Sequence, residues 1–217
     1  MKATVCRAAV LCWLGLVITN GLAQGMRPDV LKSLSSNALI DCLADQTCGQ
    51  SYWAVSIELA RRRPIPLLIS SYGKSTNSLQ RTGILLALHG IDSEEVAHFM
   101  RAAIDSKRLT DDDLYYANDY LGERCDPEAL RFLSGSGTRE HFQLAACSDW
   151  ARTVSYFGKC RYVSAAKFLV NALQNQCLDV DAAAVQSLSA LFPDHPKQFA
   201  SQKAMVAYYS KRSEGQD

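Results

Sequence analysis

Four histidines, a run of three aspartates, eight cysteines and a stripe of tyrosines are the residues of this 217-residue chain that could do chemistry. His89, His98, His141 and His195 lack the H-E-x-x-H spacing that sets two imidazoles on one helix face to grip zinc. Glu94 and His98 stand four residues apart with Asp92 nearby, but no motif completes a ligand set, and helix-surface pairing accounts for them. Asp111-Asp112-Asp113 opens a helix, where three carboxylates suit the positive end of the helix dipole. The chain has no G-x-S-x-G elbow, no glycine-rich phosphate loop and no EF-hand loop. The expectation is a protein that is not an enzyme, with no catalytic residues, no cofactor and no metal.

Residues 1–23 carry the three parts of an export signal. Lys2 and Arg7 are basic, Ala8 to Ile18 is apolar, and Gly21-Leu22-Ala23 offers small residues for cleavage. The apolar run falls short of the roughly 20 residues that span a bilayer. Cleavage leaves 24–217 as one domain and lowers 23 basic residues to 21 against 22 acidic ones, so the net charge moves from +1 to −1. That balance predicts no nucleic-acid partner and, once the signal is gone, no membrane partner. Six cysteines remain, Cys42, Cys48, Cys125, Cys147, Cys160 and Cys177, with no C-x-x-C among them. An even count in an exported chain reads as disulfides. The mature chain has no N-x-S/T sequon, which favours a bacterial periplasm over a eukaryotic secretory route.

Helical spacing dominates, and one helix face recurs. Val180, Ala184, Leu188 and Leu191 are matched by Ala146, Trp150, Val154 and Phe157, a shift of 34, and by Leu79, Gly83, Ala87 and Gly90, a shift of 101. A weaker copy runs through Leu114, Asn118 and Gly122. Each is preceded by another apolar helix, which gives helix pairs at about 64–90, 93–123, 127–158 and 161–192, with an N-terminal pair at 29–62 and a C-terminal helix over 196–212. Asp92-Ser93-Glu94-Glu95, Thr110 and Asp126-Pro127 read as helix starts, and Gly90, Gly122 and Gly158 as helix ends. Arg61-Arg62-Arg63 before Pro64 reads as a solvated helix end.

The stretch Ser164–Leu173, followed by Asp179–Pro193, resembles a HEAT repeat, with its "FL…AL" first helix and Val-x-x-Ala-x-x-x-Leu second helix. Arg81–Gly90 is a looser match. The resemblance implies an all-α fold: a right-handed superhelix of about four to five stacked hairpins with capping helices. The period is shorter than that family's, which leaves tetratricopeptide-like or plain αα-hairpins open. In this register Cys125 and Cys160 share one edge of the stack, while Cys147 and Cys177 share the other. A helix of 15 residues is about 22 Å long and bridged Cα atoms lie within about 7 Å, so Cys125–Cys160 and Cys147–Cys177 are the expected clasps. Cys42–Cys48 would be a local staple.

One surface stands out for binding. Asp112, Tyr116, Tyr120 and Glu123 recur at i, i+4, i+8 and i+11, an acidic and aromatic stripe of the kind enriched at protein interfaces. The functional expectation is a secreted or periplasmic protein-binding module whose partner is another protein, with an immunity or inhibitor protein as its concrete form. An envelope scaffold with several partners, or a hydrolase with an unrecognised site, are the alternatives.

Overall fold

A computed structural model describes residues 28–45, 51–107, 109–135, 147–174 and 177–214, and these form twelve α-helices, one 3-10 turn and no strand. The proposed export signal and Cys48 lie outside the described residues. Contacts divide the chain into two compact units, residues 1–92 and 93–217.

In the first unit the described helices are α1 (Pro28–Ser33), α2 (Ser36–Asp45), α3 (Tyr52–Arg62), α4 (Ile65–Lys74) and α5 (Ser78–His89). The N-terminal half of this unit is thus three short helices, where apolar spacing predicts a pair. Polar caps start the helices: Ser51 accepts from Ala54 N–H and Asn77 from Gln80 N–H, satisfying donors that the first turn leaves open. α5 packs against α2, α3 and α4. Leu39, Leu43, Leu59, Leu68, Ile84, Leu85 and Leu88 are fully enclosed, each worth about 1.5–3 kcal/mol of burial. Ser56 Oγ donates to Gly83 O at 2.8 Å, tying α3 to α5.

The basic run is not a uniformly solvated end. Arg61 is open to water, but the Arg62 side chain is only 18% exposed and works as a hub. It meets Glu58 at 2.7 Å and donates to the carbonyls of Leu31, Lys32 and Leu34, capping the C-terminal end of α1. The guanidinium's five donors in a planar fork let one side chain satisfy so many acceptors. Arg63 then adopts φ 55° and closes α3 through its own N–H.

The second unit holds α6 (Glu94–Asp105), α7 (Asp111–Glu123), α8 (Pro127–Ser134), α9 (Cys147–Lys159), a 3-10 turn (Val163–Ala165), α10 (Ala166–Ala172), α11 (Leu178–Leu191) and α12 (Gln202–Ser213). The start signals act as caps: Ser93 accepts from Glu95 N–H, Thr110 from Asp113 N–H, and Asp126 from Glu128 and Ala129 N–H. Of the recurring face, Val154, Phe157, Val180, Ala184 and Leu188 are fully enclosed where α9 packs on α11 and Trp150 and Leu191 are half-buried, whereas Leu79 and Gly90 of the first-unit copy are exposed.

Gly122 and Gly158 serve differently from the helix-end role their type suggests. Each lies one residue inside its helix, and the left-handed residues that end those helices are Cys125 (φ 63°) and Arg161 (φ 52°). The N–H of Cys125 reaches Gly122 O and that of Asp126 reaches Leu121 O; Arg161 and Tyr162 repeat the pattern on Gly158 and Phe157. This is the Schellman closure, made twice without glycine. The glycines instead permit close approach. A Cβ on Gly158 would stand 2.6 Å from Ser187 Cα, and one on Gly122 2.5 Å from Leu133 Cδ1.

Two disulfides join neighbouring helices in the pairings that the register predicts. Cys125–Cys160 (Cα–Cα 5.3 Å) links the residues just past α7 and α9. Cys147–Cys177 (5.8 Å) links the starts of α9 and α11. Cys42 in α2 is also bridged; its expected partner, Cys48, is the residue named above as outside the described set.

Candidate functional site

The acidic and aromatic stripe on α7 does not form one exposed face. Asp112 and Glu123 are exposed and Tyr116 is half-buried, with its ring edge-on to Tyr115 at 5.7 Å. Tyr120 has no exposure at all. Its hydroxyl donates to Ser93 O at 2.9 Å and accepts from Ser93 N–H at 3.3 Å, so it clamps α7 to the cap of α6. Arg124 lies over its ring at 3.7 Å. The physical reason is that α6, α8 and α9 all pack on α7, so Ala117 through Gly122 is buried without interruption. An amphipathic stripe assumes one wet face, and this half of the helix has none.

The side of α7 turned to α6 and α8 borders a groove of about 680 Å³. Ile104 is in the last turn of α6, Leu109 follows in the connecting loop, Leu114 is on α7 and Phe132 on α8; together they make an apolar floor. Lys107, at φ 54° in the loop, and Arg131 and Glu128 on α8 form the rim. Arg131 and Glu128 touch at 3.5 Å, both well exposed, which is a weak and screened pair. Asn118 lies within the groove wall and is only 4% exposed. Its one hydrogen bond among the described residues runs from Nδ2 to Leu114 O at 2.8 Å, so Oδ1 keeps its acceptor capacity. A few polar groups set in an apolar concavity of this size are the usual make-up of a ligand site.

The next residue along α7 faces the other way into a polar network. Asp119 is fully buried and receives Arg152 Nη2 at 2.9 Å and Thr153 Oγ1 at 3.0 Å. Tyr115 hydroxyl meets Thr153 Oγ1 at 3.1 Å. Burial, then the Asp119 charge, pushes both Tyr115 and Tyr156 far above the ordinary phenol range. Burial works against the Arg152 charge, but the carboxylate beside it prevails and holds its pKa above normal. Both phenols therefore stay protonated at physiological pH, and the network acts as a fixed strut between α7 and α9. Sequence reading missed it, although a signal existed: Asp119 and Thr153 are 34 residues apart, the shift between recurring helix faces.

Glu94 and His98 are both exposed on α6, and among the described residues no three His, Cys, Asp or Glu side chains converge as a metal site. Also among the described residues, no helix is long and apolar enough to cross a membrane. The disulfides fit an oxidising compartment, extracellular or periplasmic. No family model, no curated protein and no solved structure matches the chain.

Proposed function

We propose that this chain is an exported, non-enzymatic protein-binding module, built as a HEAT-like stack of helical hairpins and working as a stoichiometric inhibitor or immunity protein in the periplasm. The groove between α6, α7 and α8 is the observation that carries this reading. It is apolar at its floor, charged at its rim and held in shape by two neighbouring fixtures, the Tyr120 clamp on Ser93 and the Asp119 network. Disulfides that tie neighbouring helices suit a protein that must keep a binding surface rigid outside the cell, since a surface ordered in advance loses less entropy on binding. The four residues of the α7 stripe contribute differently: Tyr120 by positioning the helix, and Asp112, Glu123 and the half-buried Tyr116 as the members of that face that water reaches.

The test is an affinity pull-down with oxidised residues 24–217 from the native envelope, quantified by mass spectrometry and repeated with Leu114→Asp. One stoichiometric partner, lost with the charged groove, supports the reading. Several weak partners indifferent to Leu114→Asp would replace it with a scaffold. Turnover by the purified protein that Glu94→Gln or His98→Gln abolishes would replace it with an enzyme.

A further inference from the structure

We infer that the groove receives the free C-terminal residue of a partner polypeptide; this rests on the protein-binding reading above and names the chemistry of what is bound. Three features on the groove wall each ask for a different group. The floor, from Ile104, Leu114 and Phe132, takes an apolar side chain. Asn118 Oδ1, in a side chain 96% buried and with its Nδ2 already committed to Leu114 O, takes an N–H donor. Leaving that acceptor unpaired under an apolar ligand would cost about 1–3 kcal/mol.

Lys107 and Arg131 bring cations to the rim from the α6–α7 loop and from α8; among the described lining residues Glu128 is the one carboxylate, so these three side chains sum to +1 and favour an anion. At a polypeptide's C-terminus an N–H, a side chain and a carboxylate all branch from one carbon. A fatty acid supplies the apolar body and the anion but gives Asn118 no donor. An internal peptide segment supplies the donor, but its only carboxylates are Asp or Glu side chains, carried on a different residue from the apolar one. The groove is open and of a size that takes a drug-sized ligand, which leaves space for the residues before the last one to lead away.

The experiment uses the oxidised full chain, isotopically labelled for NMR. It is titrated to about 2 mM, the range for weak isolated peptides, with a pool of hexapeptides ending in Leu, Phe or Met as free acids. The same pool with amidated ends is run in parallel. The expected result is shifts at the Asn118 side-chain amide and at Leu109, Leu114 and Phe132, with the amidated pool at least tenfold weaker. Lys107→Ala with Arg131→Ala, both on the exposed rim, should abolish that preference while the spectrum elsewhere stays native. Equal binding of acid and amide pools overturns the C-terminal inference and leaves the binding-module reading standing. No shift with either pool, or shifts away from the groove, overturns the assignment of this groove. A dimer in solution that Leu114→Asp dissolves also overturns it, by making a second copy the occupant.

Discussion

Gly158→Ala should destabilise the second unit, although alanine is the better helix former. In an exposed helix interior the change is worth about 1 kcal/mol of stabilisation. At Gly158 the new Cβ would stand 2.6 Å from Ser187 Cα and 2.9 Å from its Cβ, where carbon atoms normally rest about 3.5–4.0 Å apart. The nearest atom is backbone, so no rotamer change relieves the clash and α11 must move away from α9 by about 1 Å. That movement stretches the buried bond from Ser187 Oγ to Val154 O, now 2.9 Å, and loosens the enclosed contacts of Val154, Phe157, Ala184 and Leu188. Overpacking costs about 1–3 kcal/mol and the strained hydrogen bond about 1 more, against the 1 gained. The net loss is about 1–3 kcal/mol, or roughly 3–15 °C in Tm for a unit of this size. Gly73→Ala is the control, because nothing lies within 4 Å of a Cβ there, and it should raise stability by about 0.5–1 kcal/mol. Thermal melts of oxidised wild type and both variants, followed by far-UV circular dichroism and by tryptophan fluorescence, make the measurement. A Gly158→Ala protein as stable as Gly73→Ala would refute the close approach of α9 and α11.

Tyr120→Phe removes a hydroxyl that both donates to and accepts from Ser93, so it should lower the urea-unfolding free energy by about 1–3 kcal/mol, with no change if the residue were a surface tyrosine. Reduction of Cys125–Cys160 and Cys147–Cys177, with loops of 35 and 30 residues, should cost about 3–4 kcal/mol for each bridge, read as a fall in Tm on adding dithiothreitol. Glu58 is held at about 2, below its ordinary 4.5, by hydrogen bonds from Arg61 that outweigh its burial, with Arg62 adding to them. Its contribution is therefore fully present above pH 4.5 and is lost as pH falls toward 2. Glu58→Gln should cost about 1 kcal/mol at pH 7, discounted for the exposed Arg61, and in paired urea titrations the gap between variant and wild type should narrow below pH 4.5 and close only below about 2.

Much of the helical order was legible because its signals are local. Ser93, Thr110 and Asp126 announce helix starts through side chains that bond within three residues. The shift of 34 between apolar faces located α9 and α11, and that register carried the two disulfide pairings. The reading failed where the outcome depends on a distant partner. Nothing near Tyr120 says that its hydroxyl will meet Ser93, 27 residues away, and nothing near Arg62 says that carbonyls about 30 residues earlier need capping. The glycines misled for a related reason, since a helix end and a close crossing ask for the same small residue. Only the neighbouring Ser187 distinguishes them at Gly158.

The groove and the strut use adjacent residues of one helix, and that adjacency explains why a helix so deeply buried keeps so many polar groups. Asn118 and Asp119 are consecutive, about 100° apart on the helix surface, so fixing one fixes the direction of the other. The Asp119–Arg152 pair is held at both ends, by Thr153 on one side and the guanidinium on the other, whereas an apolar pair would allow α7 to rotate by part of a turn. Burying a charge in this way is poor value as stability alone, since a well-packed apolar pair often does as well or better. Its gain is orientation: with Asp119 locked toward α9, Asn118 must face the groove, and with Tyr120 locked on Ser93 the helix cannot slide along its axis either. Three consecutive residues thus fix one amide oxygen in an apolar wall, the arrangement that the proposed binding site needs.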